Sequence, residues 1–312
     1  MTEPAAGAPG YQIGRGFARL PRAAAFAVVT AAYLLGAVVG GAVWAALPGH
    51  HPVFVALCAD VAATLAVFAV SVVVANASVY DPYWSVAPPL IAIAWAVSSP
   101  TGVAVRQLLV VALILVWAVR LTGHWAGTWR GLGQEDWRYV DLRRDTAGRL
   151  PWWLVNLGGI QLLPTLVVFA GMLSVWPALS GTGGLGLLDL AAILVTLAAI
   201  GVETAADAQL KRFAADPEHR GQVADVGLWR RVRHPNYSGE IGVWWGLWLF
   251  GLAANPGWWW SVAGPLAMVA LFVFASVPMM DRRSLARRPA YADYMAAVPA
   301  LLPLPRRAAR TR

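Results

Sequence analysis

The chain has 312 residues, of which 59% are hydrophobic and only 13% are charged, and its mean hydropathy is +0.59. A soluble domain carries about twice that charged fraction, so the composition excludes an ordinary soluble globular protein. The formal net charge is +8, but the basic residues lie in short loops beside apolar runs. That distribution is typical of membrane orientation signals and argues against nucleic-acid binding. The single cysteine, Cys58, excludes an intrachain disulfide and a cysteine-based metal cluster.

Apolar segments dominate the chain, and we identify eight of them as candidate helices. A run of ~20 apolar residues spans a bilayer core of roughly 30 Å. The third and seventh segments are short enough to be tilted, broken or re-entrant, so we predict an all-α transmembrane bundle with seven or eight spans. The segments are 23–47, 53–75, 85–99, 104–126, 152–177, 185–206, 238–254 and 258–280.

The positions of the basic residues predict the orientation of this bundle. If the N-terminus is cytoplasmic and all eight segments cross, every Lys and Arg except Arg106 and Arg120 lies in or beside a cytoplasmic segment. Both termini are then cytoplasmic, and no cleavable signal peptide is evident. The alanine- and arginine-rich composition, with one lysine, favours a bacterial plasma membrane.

Three regions follow from this topology. Residues 1–22 are expected to form a cytoplasmic tail, and 23–280 the transmembrane catalytic bundle. Residues 281–312 are expected to form a cytoplasmic amphipathic segment with a basic tail. The arginines of that tail indicate an anchor on anionic membrane lipids; they are Arg306, Arg307, Arg310 and Arg312.

Polar residues concentrate in Gly227–Glu240, GLWRRVRHPNYSGE, between the sixth and seventh apolar segments. Pro235 suits the first position of a helix, because its missing N–H would have no intrahelical partner there. On that helix Asn236 and Glu240 are four residues apart and share a face. A helix N-terminus also favours an anion such as phosphate. The neighbouring polar and aromatic side chains are Arg230, Arg231, Arg233, His234 and Tyr237.

Two acids, Glu203 and Asp207, lie one turn apart at the cytoplasmic end of the sixth segment. Acids at the membrane boundary are costly to bury and usually contact a cavity or a partner. The alternative is that they only make the end of the helix soluble. An intramembrane acid, Asp60, lies near the outer end of the second segment. A structural role is the main interpretation of this acid, and a functional role is the minor alternative.

The segment Tyr80–Trp84 places an acid, Asp81, between two tyrosines, Tyr80 and Tyr83. It is either functional or an interfacial turn in which Asp81 caps the next helix before Pro82. Further along, Trp129–Arg144 carries charges of both signs. We expect an ordered loop joined by salt bridges, although part of it could be solvated charge. Arg120, in the fourth segment, can snorkel or point into a polar cavity.

Several other motifs are absent or rejected. Gly181–Gly186 matches the G-x-G-x-x-G dinucleotide fingerprint, but no strand precedes it and the topology places it on the outer side, so we predict a turn. The five histidines are scattered and give no metal-ligand spacing. No Walker loop, Ser/His/Asp triad or nucleophile elbow is present.

The cytoplasmic patches together suit a nucleotide cofactor. Arginines bind phosphates through a bidentate fork, carboxylates and asparagine suit ribose hydroxyls or an amide, and aromatic faces can stack on a ring. A lipophilic substrate would enter from the bilayer.

The segment Arg233–Glu240, RHPNYSGE, carries a resemblance to a known family. Sterol reductases have Arg-His-x-Asn-Tyr-x-Gly-Asp/Glu at the same place, and Pro289–Tyr294 is similar to the family's C-terminal motif. Over most of residues 76–305 the chain resembles the bacterial DUF1295 branch of the steroid 5α-reductase-like membrane superfamily. The resemblance implies a bundle of seven to ten helices that binds NADPH between cytoplasmic loops and reduces a carbon–carbon double bond of a lipid.

The resemblance also implies roles for individual residues. Trp117 stands where 5α-reductases carry a substrate-contacting tyrosine, and Glu203 replaces an asparagine. The proton would therefore come from Tyr80, Asp81 or Tyr83. A carboxylic acid near the low-dielectric boundary could act as that acid. The residues expected to bind the cofactor are Arg120, Arg130, Arg138, Glu203, Asp207, Arg231, Arg233, His234, Asn236, Tyr237, Glu240, Arg282 and Tyr294.

Two alternatives remain. Isoprenylcysteine and phospholipid methyltransferases also use an Arg-His-Pro-x-Tyr segment, there to hold S-adenosylmethionine. The pairs Asn236/Glu240 and Glu203/Asp207, with the surplus of arginine, favour NADPH. The second alternative is a non-catalytic lipid-binding or transport protein; transport predicts polar residues at mid-bilayer, whereas here they concentrate at one edge.

Overall fold

The computed structural model of the protein describes residues 16–303, in which every regular element is a helix. Residues 1–15 of the expected N-terminal tail and the arginines of the expected basic tail lie outside the described residues. We label ten of the helices. They are α1 (Arg22–Ala46), α2 (Pro52–Val73), α3 (Tyr83–Val97), α4 (Ala104–Thr128), α5 (Trp137–Thr146), α6 (Trp152–Ser180), α7 (Leu187–Ala215), α8 (Pro235–Ala254), α9 (Pro256–Arg287) and α10 (Tyr291–Ala297).

Six helices are long and apolar enough to cross a membrane, namely α1, α2, α4, α6, α7 and α9. The prediction of an all-helical membrane protein is confirmed. The count of seven or eight spans stays a prediction, because α3 and α8 fall short for different reasons. Helix α3 has 15 residues and is roughly 22 Å long at 1.5 Å per residue. Helix α8 has 20 residues, but its glycines and tryptophans lower its hydropathy.

The chain divides into two compact units, which we describe separately. Unit 1 comprises the described residues up to Pro100 together with Ile114–Phe169. Its helices α1 and α2 pack closely, because Gly36 and Gly40 present no side chain to the facing helix. A Cβ atom at Gly40 would lie 3.1 Å from the backbone oxygen of Ala59. The small-xxx-small spacing in α1 therefore marks a real helix–helix contact.

Unit 2 comprises Thr101–Leu113 and the described residues from Ala170 onward. Its helices α7 and α8 run antiparallel with a face of small residues between them. A Cβ atom at Gly239 would lie 2.6 Å from Cβ of Glu203, and one at Gly242 would lie 2.9 Å from Cβ of Ala199. Glycine is needed at these positions for the approach of the two backbones. This packing places the start of α8 against the acidic end of α7.

A buried ion pair fixes the opposite end of α7. Arg106 is 0% exposed and donates through Nε and Nη2 to both carboxylate oxygens of Asp189, at 2.7 and 3.0 Å. Its Nη1 and Nη2 atoms also donate to the backbone oxygens of Gly183 and Gly184, both at 2.8 Å. The glycine-rich stretch before α7 is thus a turn, as predicted, and Arg106 holds it.

Candidate functional site

The start of α8 forms the centre of the candidate site in unit 2. Pro235 is the first helical residue and His234 the N-cap, as the sequence predicts. The backbone N–H groups of Arg233 and His234 donate to the backbone oxygens of Pro299 and Ala300, at 2.9 and 3.0 Å. The segment that leads into α8 is therefore fastened to the chain that follows α10.

Side chains strengthen this attachment around one buried carboxylate, Asp281. It accepts hydrogen bonds from Arg233 Nη2 at 2.9 Å and from the Tyr291 hydroxyl at 2.8 Å, and it contacts His234 Nε2 at 2.9 Å. Burial, together with Asp281, raises the pKa of Tyr291 above its usual value, so the phenol stays a donor. We call Arg233, His234, Asp281 and Tyr291 the clasp.

Three of the predicted cofactor residues, the clasp members Arg233 and His234 together with Tyr294, make hydrogen bonds within the protein. Arg233 Nη1 also donates to the backbone oxygens of Met295 and Val298, at 3.2 and 2.5 Å. The Tyr294 hydroxyl donates to the backbone oxygen of Trp229 at 2.5 Å. In this structure Arg233, His234 and Tyr294 orient the segment, and direct binding of a cofactor by them stays a prediction.

The predicted polar pairs of α7 and α8 meet at the junction of the two helices. Asn236 Nδ2 donates to Asp207 Oδ1 at 3.3 Å. Glu203 and Glu240 are both buried, at 4% and 2% exposure, and Glu203 lies against Gly239. Glu240 accepts a hydrogen bond from Trp244 Nε1 at 2.9 Å. Carboxylates from two helices and one carboxamide thus gather beside the first two turns of α8.

Aromatic stacking orders the same turn. The rings of His234 and Tyr237 are stacked, with centroids 5.2 Å apart and planes at 13°, and Tyr237 packs against Phe272 with centroids 4.8 Å apart. By contrast, Arg231 and Arg282 are exposed at the surface. Among residues 16–303, Arg282 donates within its own helix, to the backbone oxygen of Pro278 at 3.2 Å. These two arginines are available to solvent anions.

In unit 1, Tyr83 forms a pair with an acid that the sequence reasoning left outside the site. The Tyr83 hydroxyl donates to Asp60 Oδ1 at 2.8 Å, and both residues line a cavity of about 270 Å³. The rest of the lining is almost entirely apolar and comes from α1, α2 and α3. An ionisable residue inside a membrane helix is itself a signal of function. This signal identifies Asp60 in the sequence, but its partner, Tyr83, is apparent only from the structure.

Tyr80 lies in a buried set of hydroxyl groups beside the Asp60–Tyr83 pair in unit 1. Its hydroxyl is 2.8 Å from Thr165 Oγ1, which is 3.0 Å from Thr64 Oγ1. All three residues are at most 2% exposed. Tyr80 therefore has a fixed hydrogen-bonding environment close to Tyr83, with ring centroids 5.3 Å apart.

Asp81 is held by the charged loop and does not cap α3. Its Oδ1 accepts a hydrogen bond from the Tyr139 hydroxyl at 2.6 Å, whereas the N-cap of α3 is Pro82, without a side-chain cap. The capping alternative is therefore wrong, because the Asp81 carboxylate accepts a hydrogen bond from Tyr139 of α5 and does not cap α3. Desolvation raises the pKa of Asp81 to about 7, against the opposing effects of Arg138 and of the hydrogen bond from Tyr139.

The segment Trp129–Arg144 is ordered by hydrogen bonds and salt bridges, as predicted. Its second half is not a loop, however, because Asp136 caps a helix there, α5, which begins at Trp137. Glu135 accepts from the backbone N–H of Ala77 at 2.8 Å and pairs with Arg143 at 3.0 Å. Arg138 pairs with the neighbouring Asp136 at 2.8 Å and stays largely exposed. These contacts join the loop to the segment before Tyr80.

We predict that Asp81 makes the stability of the protein depend on pH. Its pKa of about 7 in the folded state exceeds the ordinary value near 3.8, so the folded state binds an extra proton between these values. The free energy of unfolding should fall as pH rises through this window, by up to about 1.4 kcal/mol per pH unit, and level off above it. Asp81→Asn should remove that slope.

Thermal unfolding in detergent from pH 5 to pH 8 measures this dependence. Asp145→Asn is the matched control, because Asp145 has a 66% exposed side chain. Equal slopes for Asp81→Asn and the wild type would show that Asp81 is ionised at all these pH values.

The two remaining predicted cofactor residues in unit 1 lie on or after α4. Arg120 is partly buried, one turn from the fully buried Trp117. Arg130 is exposed and lines an open cleft of about 580 Å³ together with Arg22.

Fold and site together define an integral-membrane helical protein with a polar cluster at the start of α8, clasped by the segment after α9. The chain belongs to the DUF1295 family, described as a protein of unknown function, whose family model matches residues 67–298. That range includes the clasp, both polar pairs and Tyr80, Asp81 and Tyr83. Searches of curated proteins and of solved structures give no match.

Proposed function

We propose that this protein is an integral-membrane, NADPH-dependent reductase of a conjugated carbon–carbon double bond in a lipophilic, steroid-like or other lipid substrate. The superfamily resemblance to steroid 5α-reductases is part of this proposal. The observation that carries it is the meeting of Glu203 and Asp207 with Asn236 and Glu240 at the start of α8. The clasp on Asp281 supports it by fixing that turn.

The residues at the start of α8 fit the chemical groups of NADPH. Carboxylates accept hydrogen bonds from ribose hydroxyls, and the Asn236 carboxamide can both donate and accept. The exposed Arg231 and Arg282 suit phosphates, and the dipole of α8 favours an anion at its N-terminus. Bound NADPH would supply the hydride added to the β-carbon of an enone.

Within unit 1, the Asp60–Tyr83 pair by itself suits the binding of a lipophilic substrate. A cavity of about 270 Å³ with apolar walls and one polar end fits part of a lipid better than a soluble metabolite. The Tyr83 hydroxyl, now donating to Asp60, would polarise a substrate carbonyl and stabilise the charge that develops on its oxygen. Of the three proton donors predicted from sequence, Tyr83 is favoured because it lines a cavity.

The membrane topology is also part of the proposal. Helix α8 lies along α7 from the level of Glu203 to that of Thr196, so it shares the depth of a helix long enough to span. If α3 and α8 cross as well, eight crossings keep the start of α8 and the loop before α5 on the cytoplasmic side with the basic residues. Both termini would then be cytoplasmic, in a bacterial plasma membrane.

A methyltransferase is the second candidate, and one observation favours it. Three carboxylates, Glu203, Asp207 and Glu240, lie near the start of α8, and a cluster of acids attracts the sulfonium cation of S-adenosylmethionine. The exposed arginines argue for a phosphorylated ligand in its place.

Ligand-dependent thermal stability separates the two candidates. A ligand that binds only the folded state raises its stability, by about 2.7 kcal/mol at 100 times its dissociation constant. We expect NADPH to stabilise the detergent-purified protein more than NADH does, and S-adenosylmethionine to have no effect. Asn236→Ala should abolish the NADPH effect without unfolding the protein. The Asn236 side chain makes one long hydrogen bond to α7, at Asp207, and otherwise accepts only from the neighbouring N–H of Tyr237 among the described residues.

The matched control is Gln222→Ala, which removes a carboxamide from the loop before α8. NADPH should stabilise this variant as it does the wild type. Stabilisation by S-adenosylmethionine alone would replace the reductase with the methyltransferase, and no response to any of the three ligands would contradict both.

A further inference from the structure

The cleft in unit 1 beside Arg22 and Arg130 combines positive charge with open space. It measures about 580 Å³, and five residues line it, none of them acidic: Arg22, Gly127, Thr128, Trp129 and Arg130. Small-molecule sites have volumes of about 300–1,000 Å³. A Cβ atom at Gly127 would meet nothing within 4 Å, so the backbone leaves room for a ligand there.

The two arginines differ in how they are held. Arg22 Nη2 donates to the backbone oxygen of Ala126 at 2.6 Å, and its guanidinium lies 5.4 Å from the centroid of the Phe26 ring. These contacts hold the charge at the cleft. Within residues 16–303, neither Arg22 nor Arg130 pairs with a carboxylate, unlike Arg138 and Arg143 of α5. The cleft thus carries two positive charges that no described acid compensates.

The aromatic residues beside the cleft mark the membrane–water boundary. Trp125 and Trp129 are stacked with centroids 4.9 Å apart, and Phe26 packs edge-on against both. Such aromatic clusters lie at the headgroup level of a bilayer. Trp129 is 8% exposed, and its Nε1–H has no hydrogen-bond partner among the described residues. A buried donor of this kind is normally paired with an acceptor.

We propose that this cleft binds the phosphate group of an anionic membrane lipid, with Arg22 and Arg130 as its counter-charges. The cleft lies where two membrane helices meet water, since Arg22 is the first residue of α1 and Thr128 the last of α4. A basic pocket between membrane helices at this depth is suited to an acidic headgroup. The proposal reassigns Arg130 from the cofactor to a lipid and does not depend on the reductase activity.

The test compares lipid binding by the full-length protein and two double variants. Native mass spectrometry measures binding of phosphatidylglycerol and of phosphatidylcholine in non-ionic detergent. Arg22→Gln/Arg130→Gln removes both charges, and glutamine at position 22 keeps an N–H donor for Ala126. The control, Arg149→Gln/Arg220→Gln, removes two exposed charges outside the cleft. Melting temperatures without lipid verify that both variants fold.

Wild type and control should bind phosphatidylglycerol more tightly than phosphatidylcholine. Removing the cleft arginines should weaken phosphatidylglycerol binding about 10- to 30-fold, since each arginine near an anionic surface contributes about 1 kcal/mol. Equal binding by the cleft variant and the wild type, or an equal loss in the control, overturns the proposal. Displacement of the lipid by inorganic phosphate or NADPH in the wild type, but not in the cleft variant, would establish a phosphate site and overturn its assignment to a lipid.

Discussion

Replacing Arg106 by leucine is expected to lower the free energy of unfolding by about 3–5 kcal/mol, the usual cost of removing one member of a buried ion pair. Arg106 and Asp189 are 0% and 3% exposed, and their contact is bidentate. Without the guanidinium, the Asp189 carboxylate would remain charged in an apolar environment. The backbone oxygens of Gly183 and Gly184 would also lose their donor.

Denaturation of four variants in detergent, each compared with the wild type, isolates the contribution of this ion pair to stability. Arg106→Lys should lose most of the stability, because an ammonium group cannot make the planar fork to Asp189 and also reach both carbonyl oxygens. Arg106→Leu/Asp189→Asn should recover part of it, since no unpaired charge stays buried. Arg144→Leu is the control, because the Arg144 side chain is 71% exposed and surface pairs contribute about 0–1 kcal/mol. If Arg106→Leu and Arg144→Leu unfold at the same temperature, the ion pair has no role in stability.

The helices of this protein could be predicted largely from the sequence, because their signals are local. The apolar segment 104–126 corresponds to α4, and the proline rule placed the start of α8 at Pro235. The i, i+4 spacing of Asn236 and Glu240 likewise follows from one helix. Each of these inferences uses residues within a few turns of one another, where backbone geometry alone fixes the neighbours.

The partners of the polar residues could not be predicted in the same way. Arg106 was apparent only as a basic residue at an outer helix end, since its partner is 83 positions away in the chain. Asp60 and Tyr83 are on different helices, and their contact depends on how these helices pack. One signal was available and was not used: the glycine spacing at 239, 242 and 246 marks the face of α8 that approaches α7.

The role of Asp281 shows why contacts between residues distant in the chain affect the functional interpretation. The resemblance implies that Arg233 and His234 bind the cofactor. Their common acceptor, 47 and 48 positions further on, engages both side chains inside the protein. A motif that resembles a cofactor-binding signature can therefore act partly by attaching its own segment to the rest of the protein.

Asp281→Ala is expected to release the segment before α8 from the chain that follows α10. Three groups, from Arg233, His234 and Tyr291, would lose their shared acceptor, and the arginine would remain largely buried. Breaking a buried charged network of this kind costs about 3–5 kcal/mol. The local opening of the clasp should therefore become roughly 100- to 4,000-fold more frequent, because each 1.4 kcal/mol is a factor of ten.

Hydrogen exchange measured by mass spectrometry follows this opening directly. The amides of Arg233 and His234 donate to Pro299 and Ala300, so they should exchange faster in Asp281→Ala, while the amides within α7 remain protected. Asp293→Asn, at an exposed acid of α10, should leave both regions unchanged. The NADPH stabilisation expected for the wild type should disappear in Asp281→Ala, although the hydrogen bonds of Asp281 in the described part of the chain go to the other clasp residues and not to Asp207, Asn236 or Glu240. If the amides of Arg233 and His234 stay protected while stabilisation by NADPH is lost, Asp281 acts on the ligand itself and not through the clasp. Unchanged exchange with unchanged ligand response would mean that the backbone bonds to Pro299 and Ala300 hold the segment without the carboxylate.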